Sequence, residues 1–101
     1  MTVSTREVMP LSIKINIHPN LFGYTNDQAV TEVSGHTVGE CLKDLETQFP
    51  GIEEGLFDKK KGRLFSIYDI WINGESAYPE ELAKKVQDGD EIYITTVIGD
   101  G

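Results

Sequence analysis

Cysteine is nearly absent from the chain, which has Cys41 alone among its 101 residues. A single thiol cannot form an intrachain disulfide, so the chain is not a cystine-stapled secreted module. Histidine is scarce as well, and His18 and His36 with one cysteine make no recognisable zinc pattern. These absences predict a cytoplasmic protein that binds no metal.

Long apolar runs are also missing. No segment approaches the roughly eighteen apolar residues of a membrane helix. The first ten residues contain Arg6 and Glu7 and lack the apolar run of a secretion signal. We therefore expect a soluble protein with no membrane partner, in which residues 1–10 form a flexible N-terminal extension.

Basic residues are few: nine Lys and Arg oppose seventeen Asp and Glu, for a formal net charge of -8. Such a surface repels phosphate backbones and anionic lipid, so nucleic acid is not an expected partner. It favours encounter with a basic docking face on another protein, although the same charge could simply keep a small domain in solution. The basic run at residues 59–63 is short and lacks interleaved aromatic residues, which indicates a solvated loop.

What the sequence does contain is a set of periodic segments that fits one compact domain. Residues 11–17 alternate apolar and polar side chains, as a half-buried strand does. Thr37 and Glu40 are spaced as a capping box, which predicts the start of a helix there. The helix then carries one apolar stripe before Pro50 ends it. The stripe consists of Val38, Leu42, Leu45 and Phe49.

Further strands are predicted at residues 29–33, 67–72, 76–78 and 91–97, with a helical turn at residues 79–82. The Asn73-Gly74 pair favours a tight hairpin turn, and the Asp88-Gly89-Asp90 cluster favours a turn over a calcium site. One helix can cover only one face of such a sheet. The order predicts an α+β, β-grasp (ubiquitin-like) fold in which four to five mixed strands pack on one main helix.

These segments resemble the sulfur-carrier branch of the ubiquitin-like family, which includes the small subunit of molybdopterin synthase (MoaD) and the thiamine sulfur carrier (ThiS). The resemblance spans residues 11–101. Its most specific parts are the INGE block at residues 72–75 and the VQDGDEI block at residues 86–92, followed by a glycine ending. The resemblance predicts one β-grasp domain with a C-terminal tail from about residue 98.

The resemblance implies a protein substrate and not an enzyme. An ATP-dependent, ubiquitin-activating-type enzyme would adenylate the C-terminal carboxylate of Gly101, and sulfur would then replace AMP to leave a thiocarboxylate. A sulfur-accepting synthase subunit would use that sulfur in molybdopterin, tungstopterin, thiamine or related biosynthesis. The chain itself would bind no cofactor, since the activating partner uses the ATP.

The tail Gly99-Asp100-Gly101 departs from the two glycines with which family members typically end. Asp100 adds a Cβ and a negative charge beside a carboxylate that must approach ATP phosphates, and both oppose activation. Either the activating enzyme has a matching Lys or Arg, or the chain is a β-grasp interaction module that is not activated. Conjugation to lysines as a ubiquitin-like modifier would use the same tail and is a third alternative.

Strand alternation also predicts a docking surface. If Ile72 faces the helix, Trp71 points to the open side of the sheet, and the last strand likewise presents Tyr93. In the resembled fold these strands are neighbours, so the two rings would form an exposed patch for partner docking. A loop or the N-terminal extension could instead cover them. Cys41, beside the apolar stripe, is expected to pack as a small buried hydrophobe.

Overall fold

The structure is a computed structural model that describes residues 12–97. In chain order its elements are β1 (Ile13–Asn16), a 3₁₀ helix (Pro19–Tyr24), β2 (Val30–Val33), α1 (Val38–Gln48), α2 (Ile52–Leu56), β3 (Phe57–Asp58), β4 (Arg63–Leu64), β5 (Tyr68–Ile72), β6 (Glu75–Ser76), a second 3₁₀ helix (Glu81–Ala83) and β7 (Glu91–Thr96). The predicted extension at residues 1–10 and the tail from about residue 98 lie outside the described residues.

Five strands form one mixed sheet in the order β2-β1-β7-β5-β6. The central strand β7 runs parallel to β1 and antiparallel to β5, while the outer pairs β1–β2 and β5–β6 are antiparallel. The apolar side of α1 packs with the buried sheet residues in a single core. The predicted β-grasp architecture is therefore confirmed. No helix in residues 12–97 is long and apolar enough to span a bilayer.

The main helix begins at the predicted capping box. The Glu40 N–H donates to Thr37 Oγ1 at 3.1 Å, and this contact satisfies one of the free amides of the first turn. The Glu40 carboxylate accepts the N–H of His36 at 2.7 Å. In a standard capping box this carboxylate would accept the N–H of the N-cap residue, Thr37, so the bond here is shifted by one residue. The helix ends where the Phe49 N–H bonds to the carbonyl of Leu45.

Besides the first 3₁₀ helix, two short elements were not predicted. Helix α2 spans only five residues, too few for a visible helical period, and the side chain of Glu46 from α1 caps it. Glu46 accepts the N–H groups of Gly51 at 2.9 Å and Glu53 at 3.0 Å, and these bonds lower the pKa of its carboxyl. The second element is the hairpin β3–β4, a separate two-stranded sheet whose connection carries the three lysines of the basic run.

The returning strand after the hairpin turn is also corrected. It was predicted at residues 76–78, but β6 pairs Glu75 with Ile72 and Ser76 with Trp71. Asn73 and Gly74 both have positive φ, 52° and 88°, which is the geometry of a two-residue primed turn. Because only two residues separate the strands, pairing resumes at once with Glu75.

Candidate functional site

Strand β7 carries the chain through the middle of the sheet toward the predicted sulfur-carrying end. Val97, the last described residue, donates its N–H to the carbonyl of Ile67 at 2.8 Å. Its side chain is 57% exposed. The three predicted tail residues, Gly99, Asp100 and Gly101, lie beyond it and outside the described part of the chain.

The two predicted docking residues form an aromatic pair. Trp71 on β5 lies directly opposite Tyr93 on β7, and the side chains are 36% and 37% exposed. Both face away from α1, because the alternate positions on these strands are buried. Their exposure on neighbouring strands is as predicted from alternation. Their docking role stays a prediction.

The aromatic pair belongs to a row of side chains that crosses the open face of the sheet. The cross-strand partners along this row are Val30, Asn16, Tyr93, Trp71 and Ser76. A shallow groove of about 680 Å³ lies against the pair and reaches Thr95 and Thr96. Asn73 and Gly74 also line the groove, which therefore runs along the sheet from the β5–β6 turn to Thr96.

Each ring of the pair is tied to a carboxylate two positions away on its own strand. Trp71 Nε1–H donates to Asp69 Oδ2 at 3.1 Å, and the Tyr93 hydroxyl donates to Glu91 Oε1 at 2.6 Å. The bond to Glu91 is the largest cause that raises the pKa of Tyr93, followed by the charge of that carboxylate and burial. Sequence analysis missed these two carboxylates, although period-two spacing on a strand predicts same-face neighbours.

The two sequence blocks that carry the family resemblance meet at one place, which we call the clasp (Asn73, Asp88 and Asp90). Asn73 Nδ2 donates to Asp90 Oδ1 at 2.9 Å, and Asn73 Oδ1 accepts the N–H of Glu91 at 3.0 Å. Asp90 Oδ2 also accepts the N–H of Gln87 at 2.7 Å. The clasp joins the β5–β6 turn to the start of β7.

The other side of the clasp holds the start of β1. Asp88 Oδ1 accepts the N–H of Ser12 at 2.7 Å, and the Gly89 N–H donates to the carbonyl of Ser12 at 2.9 Å. Gly89 has φ 91°, which favours glycine at this turn position. The acidic cluster is therefore a turn, as predicted. Across residues 12–97, no three His, Cys, Asp or Glu side chains are grouped to hold a metal ion.

The surroundings of Cys41, His18 and His36 indicate packing or surface roles. Cys41 is fully buried, and burial is the main cause that raises the pKa of its thiol to about 11, with smaller effects from Asp44 and Glu40. The predicted packing role of Cys41 is confirmed, and the thiol is poorly suited to act as a nucleophile. His36 is exposed, whereas His18 is half-buried and packs edge-on against Tyr68.

The mixed five-stranded sheet on one main helix defines a ubiquitin-like β-grasp protein. No family model matches the chain. The sulfur carrier protein CysO of Mycobacterium tuberculosis is 30% identical over 93 residues, which cover 90% of this chain and 100% of CysO. The crystal structure of that CysO matches with a TM-score of 0.79 and 31% identity, covering 85% of this chain and 99% of the other.

Two further solved structures are similar. The BexX/CysO complex of Amycolatopsis orientalis matches with a TM-score of 0.77 and 26% identity, over 88% of this chain and 99% of the other. Small archaeal modifier protein 1 of Methanosarcina acetivorans matches with a TM-score of 0.74 and 25% identity, over 92% and 99%. The chain belongs to the ubiquitin-like sulfur-carrier family. The relatives named here are a sulfur carrier and a modifier protein, and neither is named as an enzyme.

Proposed function

We propose that this protein carries sulfur as a thiocarboxylate on the C-terminal carbonyl of Gly101. The observation that supports the proposal most is the match to a sulfur carrier across that protein's full length. A ubiquitin-activating-type enzyme joins the Gly101 carboxylate to the α-phosphate of ATP and releases pyrophosphate. Hydrosulfide from a sulfur donor then attacks the acyl carbon, and AMP leaves with the C–O bond electrons. A carboxylate alone is too poor an electrophile for this exchange.

The position of β7 fits the proposal. Val97 directly follows Thr96, which is the last residue of the central strand and lines the groove beside the aromatic pair. Four residues reach at most about 14 Å, so the adenylating site must approach Val97 within that distance. An enzyme that brings its active site so close also covers the neighbouring sheet surface. We therefore propose that Trp71 and Tyr93 dock the activating partner.

Asp100 sets a requirement for that partner. Two like charges about 6 Å apart repel by roughly 2 to 3 kcal/mol at an effective dielectric near 20. We propose that the activating enzyme offsets this with a Lys or Arg opposite Asp100. Asp100→Gly should then weaken activation by that enzyme and improve activation by one that lacks the cation. If Asp100→Gly left the activation rate unchanged with both enzymes, the proposed pairing of Asp100 with a cation would be contradicted.

Intact mass tests the proposal directly. The chain, incubated with the activating enzyme, ATP and a sulfide donor, should gain the mass difference between one sulfur and one oxygen atom. A chain without Asp100 and Gly101 should gain nothing, while Cys41→Ala should gain the same mass as the unaltered chain. An unchanged mass of the full chain after complete ATP turnover would contradict sulfur carriage.

The pathway is the finer part of the proposal. A sulfur-accepting synthase subunit of molybdopterin, tungstopterin, thiamine or related biosynthesis takes the sulfur in the cytoplasm. Each candidate synthase can be added to the loaded chain with its substrate, and the partner is the one that returns the chain to its original mass. Retention of the sulfur with every candidate would contradict these pathways.

A modifier role is the second candidate function, favoured by the likeness to small archaeal modifier protein 1. The same adenylate would then acylate a lysine amine, and the chain would appear in cells as higher-mass adducts that depend on Gly101. A β-grasp module that is never activated is the remaining alternative. Deletion of Asp100 and Gly101 would leave the partner affinity of such a module unchanged.

A further inference from the structure

The aromatic pair has no free hydrogen-bond donor on its side chains. The indole N–H of Trp71 is bonded to Asp69, and the hydroxyl hydrogen of Tyr93 is bonded to Glu91. Both carboxylates keep lone pairs that these bonds do not use. The surface therefore offers ring faces and hydrogen-bond acceptors to a partner.

The ring faces themselves are available. Within residues 12–97 the recorded ring–ring contact joins His18 to Tyr68, and Trp71 and Tyr93 do not stack on each other. Each keeps more than a third of its surface exposed. An aromatic face is the negative side of the ring quadrupole and attracts cations.

The charge around the pair is negative. Asp69 and Glu91 lie on opposite sides of the aromatic row, two positions along each strand, and Glu32 is a third carboxylate on the same face. The cation on this face is Lys14, whose cross-strand partners are Glu32 and Glu91. A basic partner surface is complementary to this arrangement.

We propose that the docking partner lays arginine side chains over the pair, with each guanidinium stacked on one ring and bonded to the carboxylate beside that ring. Arginine fits because its planar guanidinium has five donors and no acceptor, and it stacks on aromatic faces. The two units are Trp71 with Asp69 and Tyr93 with Glu91. The inference deepens the proposed function, on which it rests for the identity of the partner as the activating enzyme.

A peptide titration tests the chemistry without that enzyme. The chain has one tryptophan, so its indole N–H resonance reports on Trp71 alone. We expect capped Arg-Gly-Arg to shift this resonance saturably at low salt, and capped Lys-Gly-Lys to bind at least about threefold more weakly. Equal affinity of the two peptides, or no saturable shift, would overturn the arginine assignment.

Isosteric variants separate local recognition from overall charge. Asp69→Asn with Glu91→Gln keeps acceptors for both rings and removes two negative charges, and should weaken Arg-Gly-Arg binding about fivefold or more. The matched control is Glu54→Gln with Glu80→Gln. These two residues are exposed and lie outside the sheet face, and their substitution removes the same two negative charges. If both double variants weaken binding equally, the attraction is non-specific and the proposal fails.

The activating enzyme supplies the second measurement. The Asp69→Asn, Glu91→Gln chain should show a raised KM for adenylation, while kcat at saturation should be that of the unaltered chain. An unchanged KM would overturn this docking inference while leaving sulfur carriage intact. Failure of the unaltered chain to gain sulfur would instead overturn the proposed function, whatever the peptides do.

Discussion

The clasp and the aromatic pair lie side by side at β7 and use polar side chains in opposite ways. In the clasp, Asn73, Asp88 and Asp90 each accept a backbone N–H, and Asn73 also donates to Asp90. These bonds fix the turns that bring β1, β5 and β7 together. In the aromatic pair, Trp71 and Tyr93 bond to carboxylates on their own strands and join no other element through those bonds.

This difference separates the residues that carry the family resemblance from the residues that we propose bind a partner. The three clasp residues lie within the sequence blocks that carry the resemblance, and their contacts are architectural. Trp71 and Tyr93 both lie outside the two blocks, Trp71 directly before INGE and Tyr93 directly after VQDGDEI. We therefore expect substitutions in the clasp to change mainly stability, and substitutions at the pair to change mainly binding.

The largest expected effect is on the clasp. Asn73→Ala removes two side-chain hydrogen bonds and places a Cβ-bearing residue without a polar side chain at φ 52°. The free energy of unfolding should fall by about 2 to 3 kcal/mol, measured by urea denaturation. Asn73→Gly, which tolerates the positive φ, should lose less. If both variants lose under about 0.5 kcal/mol, the clasp is not architectural.

The corresponding substitution in the aromatic pair is Trp71→Ala. Because the ring is partly exposed, the free energy of unfolding should fall by only about 1 kcal/mol. The KM for the activating enzyme should rise about tenfold, since a buried aromatic anchor at an interface contributes strongly to affinity. If Trp71→Ala left KM unchanged and destabilised the fold as much as Asn73→Ala, the distinction between a structural clasp and a binding aromatic pair would be wrong.

A smaller effect on stability is expected at Glu46, on the helix side of the sheet. Its carboxylate accepts backbone N–H groups at the start of α2, as the clasp residues do in their turns. Its folded pKa lies below the ordinary value of 4.5, so its stabilisation is present above about pH 4.5 and is lost as the pH falls through the folded pKa. Glu46→Gln should lower the melting temperature by a few degrees at neutral pH, with the difference vanishing in acid. A difference independent of pH would contradict the capping by the ionised carboxylate.

The smallest expected effect is on the pKa of Tyr93 in the aromatic pair. Glu91→Gln should lower the pKa of Tyr93 toward its ordinary value, because it removes the charge and weakens the hydrogen bond that raise it. Alkaline absorbance titration or NMR of the tyrosine ring measures this. Glu32→Gln, on the same face without contact to Tyr93, is the control. A Tyr93 pKa that both substitutions leave unchanged would contradict the bond to Glu91.

Much of the fold follows from the sequence because its signals are local and strong. Alternation in β1, β5 and β7 fixes which residues face the helix, and the Asn73-Gly74 pair indicates the hairpin, although the returning strand was predicted to begin at residue 76 and begins at Glu75. Once Ile72 is placed inward, Trp71 must point outward. The exposure of the aromatic pair was therefore predictable.

The missing parts depend on contacts that are distant in sequence or on elements too short to show a period. Helix α2 needs the Glu46 side chain across the Pro50-Gly51 turn, and the β3–β4 hairpin has two residues in each strand. The Asn73–Asp90 bond joins residues seventeen positions apart. The proposed function of the tail rests on family membership, because no contact within residues 12–97 points to sulfur chemistry.

Fragmentation mass spectrometry of the chain after the loading reaction tests the central claim most directly. Sulfur carriage predicts that one sulfur atom replaces one oxygen atom and that the change maps to Gly101. Cys41, buried and with a raised pKa, should keep an unmodified thiol. Added sulfur found on Cys41, or loading that persists after Gly101 is removed, would contradict the account.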